Sequence, residues 1–430
     1  MHPILLAFAQ SALAQGIIID VPGSADIPLA VPKPQLPASE PAATAEEIWD
    51  VVFHDLEFSG YFEMQNPSTY VEKGKGVEPG QFDMSAWTLL KTTVLVKTRV
   101  YPVGHSACDP GGRNMCADVF VYYVPSDQKL VSKRFRSTAE GARQLGHAIA
   151  NQVLLATTGT AGVFGSRLAA VGTKTGNKEI YLLDLDGHGV TPVTRNGAIN
   201  LSPAWSADGT QIAWTSYKKA NPDLYVKDLP TGRTRMISNV KGVNTSPDFS
   251  PDGSKLALAR SVEGDSDVFL VDARTGTEIR RMTSGGGIDV SPDFAPDGAS
   301  LVFASERSGG SQIYQMPVGG GDATRLTFAG DFNVDPVMSP DGSKVAYVSR
   351  SPSGFDVLVA DLTTKNVVRI TQDMGDNEDP TWSPDSNYLV FSSTRTGRSE
   401  LWISTADGRH QSRLTESGGW TQPAWAPVTP

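Results

Sequence analysis

Between residue 203 and the C-terminus one short motif returns six times. Its copies are Pro203-Ala-Trp-Ser-Ala-Asp-Gly209, Pro247-Asp-Phe-Ser-Pro-Asp-Gly253, Pro292-Asp-Phe-Ala-Pro-Asp-Gly298, Pro336-Val-Met-Ser-Pro-Asp-Gly342, Pro380-Thr-Trp-Ser-Pro-Asp-Ser386 and the stub Pro423-Ala-Trp-Ala-Pro427. The leading prolines are 44, 45, 44, 44 and 43 residues apart. A period held this closely marks an array of equal structural units.

Each unit carries four strand signals. The first strand places Trp205, Phe249, Phe294, Met338, Trp382 or Trp425 two residues after the proline, where the ring is expected to pack against the next unit. An Asp-Gly turn follows, in which Gly supplies the positive φ of a tight hairpin. Ser386 replaces that Gly once, which predicts a turn of another type. The second strand alternates, as in Ile212 and Trp214 or Leu256 and Leu258. The third is apolar on both faces (Leu224-Tyr-Val226, Val268-Phe-Leu-Val271), so it is buried on both sides. The fourth ends in an apolar-Thr/Ser pair, from Val193-Thr194 to Leu414-Thr415. Four antiparallel strands every 40–45 residues or so predict a propeller blade. The stub at Pro423 is a first strand with nothing after it, and Gly165-Ser-Arg-Leu168 begins a second strand with no first strand before it. Joining them leaves no open edge. The expected fold is an N-terminal α/β domain plus an all-β six-bladed β-propeller over 163–430, closed by the C-terminal strand.

Residues 15–158 lack the repeat. Ile17, Ile18, Ile19, Asp20 and Val21 predict a strand in an extended N-terminal segment, and the Pro-rich stretch 28–41 is expected to run extended. Thr44-Ala-Glu-Glu47 and Ser137-Thr-Ala-Glu140 read as capping boxes. They would open amphipathic helices through Ile48, Val51, Val52 and Leu56, and through Leu145, Ile149, Val153 and Leu154. Strands are expected over 93–101, 118–124 and 129–135, and Gly159 and Gly162 mark a linker. Residues 1–14 read as an export signal: an apolar run ends in Ala12-Leu13-Ala14, although no Lys or Arg precedes it. Export implies an oxidising compartment and makes Cys108 and Cys116, which flank a turn-rich stretch, a disulfide candidate.

Charge and motifs narrow the chemistry. With 37 Lys+Arg against 47 Asp+Glu and a net charge of −10, nucleic acid is not an expected partner. No apolar run reaches the ~18–20 residues of a membrane span. There is no Gly-x-Ser-x-Gly elbow and no P-loop. The six histidines (His2, His54, His105, His147, His188, His410) are scattered, and two thiols without adjacent His make no zinc site. Neither a metal nor a cofactor is expected. The segments leading into the first strands are more informative. They hold Asn200 and Leu201; Val243, Asn244 and Thr245; Asp289 and Val290; Asn333 and Asp335; Asn377 and Asp379; and Trp420. In a propeller these six loops ring one mouth of the channel, and loops on a rigid scaffold commonly carry binding.

The combination of export signal, Ile-Ile-Ile-Asp strand, α/β domain, six Pro-x-Trp/Phe-Ser-Pro-Asp-Gly blades and a Pro-Ala-Trp-Ala-Pro ending resembles the TolB family of the Tol–Pal envelope system. The resemblance implies a monomeric, non-catalytic periplasmic adaptor that maintains outer-membrane integrity and supports cell division. It implies that the mouth binds the peptidoglycan-associated lipoprotein Pal, through Val243, Asn244, Thr245, Asp289, Val290 and the equivalent loops. Other outer-membrane lipoproteins would be further partners. It also implies that the N-terminal segment, here residues 16–31, binds TolA. Two alternatives stay open: a secreted propeller enzyme, which needs converging His, Glu or Arg side chains in the channel, and a glycan-binding module, for which Trp420 and Phe332 are the aromatic candidates.

Overall fold

The computed structural model of the chain describes residues 26–37, 42–70, 76–262, 264–285, 287–417 and 419–427, and it divides at Phe164/Gly165 into two units. The expected export signal and the Ile17–Val21 strand lie outside the described residues.

In the N-terminal unit a five-stranded sheet has the order β2-β1-β3-β4-β5. These strands are β1 (Ile27–Ala30), β2 (Phe62–Met64), β3 (Val94–Tyr101), β4 (Asn114–Tyr123) and β5 (Gln128–Thr138). β1 pairs in parallel with both β2 and β3, and β3, β4 and β5 are antiparallel. The Pro-rich stretch therefore starts as an interior strand, with Pro28 in its ladder opposite Glu63. Helices α1 (Ala43–Phe58) and α3 (Ala142–Thr158) bury the expected apolar stripes. Gly146 lets them close up, because a Cβ there would come within 2.7 Å of Val51. His147 and Asp55, both buried, join the two helices at 2.7 Å. Neither expected capping box forms. Ala42 is helical and caps nothing, and Ser137 lies within β5 and donates to the Gly141 carbonyl. The short α2 (Met84–Leu89), capped by Asp83, buries Trp87 in a core with Ala30, Leu95, Phe120 and Tyr122. Cys108 and Cys116 are disulfide-bonded, with their Cα atoms 5.6 Å apart.

The second unit is six four-stranded antiparallel sheets. Blade 1 is Trp420–Trp425, Arg167–Gly172, Glu179–Asp184 and Thr191–Pro192, so the C-terminal strand supplies its innermost member. Blades 2 to 6 begin at Asn200, Asn244, Asp289, Asn333 and Asn377. In every blade except the second, the residue two after the proline is buried; Trp205 is half-buried. The packing runs opposite to expectation, onto the preceding blade. Trp382 of blade 6 sits among Val357, Val359 and Ile370 of blade 5 and donates Nε1–H to the Val337 carbonyl (3.0 Å). The ring closes the same way, with Trp205 Nε1 donating to the Ala424 carbonyl (3.1 Å).

The Asp-Gly turns are held by their own side chains. The Ser206 hydroxyl and the Thr210 amide both donate to Asp208, and this keeps its carboxyl below the usual range. Ser386 does not change the turn. Its φ of 62° matches the 67–71° of the glycines at Gly209, Gly253, Gly298 and Gly342, and its hydroxyl accepts the Asp341 amide of the preceding blade at 3.1 Å. That contact offsets part of the roughly 1–2 kcal/mol that a Cβ costs in this conformation.

Candidate functional site

Every first strand begins at the same end of the channel, and every second strand returns there, so the loops between blades and the loops between second and third strands share one mouth. The residues that enter each first strand have fixed roles, set by position. The first of them, Asn200, Asn244, Asp289, Asn333, Asn377 or Trp420, is at most 2 % exposed. Asn244 donates to the carbonyls of Pro222, Val240 and Gly242 and accepts from Ser238. Asp289 accepts two bonds from Arg307, both 3.1 Å. Trp420 lies edge-on to Tyr181 at 5.6 Å, over Gly172, where a Cβ would be 2.7 Å from its ring. These six side chains, all expected at the binding surface, tie the mouth loops together and are largely used up in doing so. Leu201, Thr245 and Val290, one residue on, are half-buried.

In blades 2, 3 and 4 the residue ahead of the first strand faces outward, whereas Phe332, Asp376 and Gly419 in the same slot of the other blades are half-buried. Ile199, Val243 and Ile288 are 47, 37 and 43 % exposed, and Phe328 and Met374 stand out of neighbouring mouth loops. Val243 was legible in the sequence. Ile199 and Ile288 occupy the same slot of the repeat, and that register could have found them. An apolar collar rimmed by polar loops is the usual mark of a macromolecular contact.

Deeper in, the third residue of each strand precedes the proline: Ser202, Ser246, Ser291, Asp335, Asp379 and Gln422. All six have positive φ, between 48° and 55°. The strand register slips here: Thr245 faces Ala259 but Asp248 faces Ala257. The extra residue makes a β-bulge, and a proline with no N–H to offer fits beside it. The bulge turns the side chain into the channel, a cavity of about 670 Å³ whose lining includes no His, Lys, Arg or Cys. Backbone strain repeated at one ring is the kind that clusters at functional sites.

Two carboxylates of this ring, Asp335 and Asp379, and two that sequence reasoning missed, Asp248 and Asp293, face the channel. Burial pushes Asp248 and Asp379 up to about 7, and it raises Asp293 and Asp335 as well. They also join blades. Asp248 accepts the Phe294 amide and Asp293 the Met338 amide, both at 2.8 Å, and Ser291 donates to Asp335 at 2.8 Å. Asp379 accepts the Gln422 amide, and Gln422 accepts the Ser202 amide, which carries the chain of bonds across the closure. Among the described residues no group of His, Cys, Asp and Glu has the arrangement of a metal site, and no helix is long and apolar enough to cross a membrane.

The comparisons agree with this architecture. A family model described as the TolB beta propeller domain matches residues 155–429, and one described as the TolB amino-terminal domain matches 15–108. The Tol-Pal system protein TolB of Geobacter sulfurreducens is 35% identical over 191 residues, 44% of this chain and 42% of that protein. Its namesake from Syntrophotalea carbinolica is 35% identical over 214 residues, 48% of this chain and 47% of that protein. The chain thus spans under half the length of these curated relatives. The crystal structure of TolB from Acinetobacter baumannii superposes with a TM-score of 0.83 at 29% identity, covering 94% of this chain and 97% of that one. With the propeller model alone matching well over half of its length, the chain belongs to the TolB family.

Proposed function

We propose that the chain is a non-catalytic periplasmic adaptor of the Tol–Pal system. In this reading the propeller mouth binds a peptidoglycan-associated lipoprotein, the N-terminal segment around residues 17–21 binds TolA, and the two contacts together maintain outer-membrane integrity and support division. The observation that carries it is the exposed apolar residues Ile199, Val243 and Ile288 at the mouth of an acidic channel. Family membership and the Tol-Pal names of the relatives support it. The disulfide fits an exported protein. A strand at residues 17–21, which the sequence predicts, would offer backbone donors and acceptors for strand addition to a partner. The test is capture from envelope extract on the immobilised full chain. Retention of a peptidoglycan-associated lipoprotein at moderate salt is expected; its absence at low and moderate salt sinks the reading.

A further inference from the structure

Blades 1 and 2 depart from the other four at one slot of the outer strand, with Pro192 and Met236 in place of an arginine. In blades 3, 5 and 6 the third strand carries a carboxylate near its start, Asp267, Asp356 or Glu400. The outer strand ends on an arginine, Arg281, Arg369 or Arg413, which pairs with it. The Arg281 and Arg413 contacts are 2.6 and 2.7 Å, and the same guanidiniums donate Nε–H to the carbonyls of Thr283 and Thr415. Arg281 also lies over the Phe269 ring. Blade 4 keeps the arginine as Arg325, bonded to the Thr327 carbonyl. Blade 1 has Glu179 in the carboxylate slot, Tyr181 in the ring slot and Thr194 in the threonine slot, with Pro192 where blades 3 to 6 have the arginine.

The result is an open pocket of about 390 Å³, lined by Glu179, Tyr181 and Pro192 together with Lys174 and Arg195. Tyr181 is 4 % exposed, and its hydroxyl has no hydrogen-bond partner among the described residues. Glu179 accepts from the Asn196 and Gly197 amides, the Thr194 hydroxyl and the Asn200 amide group, all of them neutral. The repeat itself indicates what belongs there. We infer that this pocket receives the guanidinium group of an arginine side chain presented by a partner polypeptide at the rim of the mouth. A guanidinium is donor-only and planar, and it pairs with a carboxylate while stacking on an aromatic face. The phenol oxygen of Tyr181 is a further acceptor. Lys174 is no obstacle, since blade 6 holds Arg395 over Trp402 at 4.2 Å while Arg413 pairs with Glu400. The chemistry of the slot stands by itself; that the arginine arrives on a mouth-bound partner rests on the adaptor reading.

The test is an NMR titration of the full chain with N-acetyl-argininamide, followed at the amides of Tyr181, Asn196 and Gly197. We expect a saturable response with a dissociation constant on the order of 1 mM. N-acetyl-lysinamide and acetate should bind at least about fivefold more weakly. Pro192→Arg, which restores the residue found in four other blades, abolishes the response while the circular dichroism spectrum and melting point stay unchanged. Tyr181→Phe weakens binding about threefold. Acetate binding as tightly as the arginine probe overturns the inference, as does an undiminished response in Pro192→Arg or no saturable shift at these amides. No lipoprotein takes part, so a negative titration leaves the adaptor reading intact, and failed lipoprotein capture leaves the slot standing.

Discussion

In the propeller each structural slot is used six times; in the N-terminal unit every slot is used once. The large apolar residue after each blade proline, the turn Asp of blades 2 to 6 and the strand-locking Thr or Ser recur in register, so a departure such as Ser386 or Pro192 stands out against the other copies. The α/β unit has no such internal reference, and a single unlikely residue, Pro28 in an interior strand, is enough to hide an element. Repetition makes both the fold and its exceptions readable.

The largest expected effect tests whether the two cores are separate. Trp382→Ala removes a buried ring and its bond to Val337 and should cost about 3–5 kcal/mol. Hydrogen exchange should accelerate in blades 5 and 6 and stay unchanged in β3 and β4; a joint loss of protection breaks the comparison. The converse change, Cys108→Ser with Cys116→Ser, opens the disulfide loop and should cost the N-terminal unit about 2–3 kcal/mol by denaturant titration, with the propeller transition unmoved.

A smaller effect sets the acidic channel apart from the α/β unit. Asp248 and Asp379 are pushed up to about 7 by burial, whereas an unfolded Asp titrates near 3.9 or so. The folded chain therefore binds more protons than the unfolded one between about pH 4 and 7, and its stability falls as pH rises through that window. The propeller should melt at a higher temperature at pH 5 than at pH 7.5. Asp379→Asn should raise its stability at pH 7.5 by on the order of 1–2 kcal/mol and flatten the profile; a profile that is flat in the parent chain contradicts the assignment. The smallest effect probes the repeat. Ser386→Gly relieves a strained φ but loses the acceptor of the Asp341 amide, so the gain should stay under about 1 kcal/mol. A larger change of either sign would mean that this turn is not equivalent to the others.

Much of the propeller was legible because its signals act locally and repeat: proline spacing gave the blades, and the orphan strands at residues 165 and 423 gave the closure. The α1 and α3 stripes were legible by periodicity. Their start points were not, since the N-caps are Ala42 and Gly141, neither with a side-chain cap, and not Thr44 or Ser137. β1 was hidden by Pro28, and α2 by its length of six residues. At the mouth, polarity pointed to Asn200, Asn244, Asn333 and Asn377, yet polar side chains at a loop base are those most needed to satisfy loop carbonyls. Before Asn200 and Asn244 the outward-facing residues are the apolar Ile199 and Val243, and a sequence reading that equates polar with exposed passes Ile199 by.

The central claim is that the mouth collar, and not exposed apolar surface in general, grips a partner. Calorimetric titration of the full chain with the peptidoglycan-associated lipoprotein tests it directly when two triple variants are compared. One is Ile199→Asp, Val243→Asp and Ile288→Asp at the mouth. The other is Ile279→Asp, Val367→Asp and Val368→Asp on the outer strands, where the side chains are similarly exposed. The account predicts a loss of about tenfold or more in affinity for the mouth variant and parental binding for the outer one. Equal binding by both variants, or a loss confined to the outer one, would contradict it.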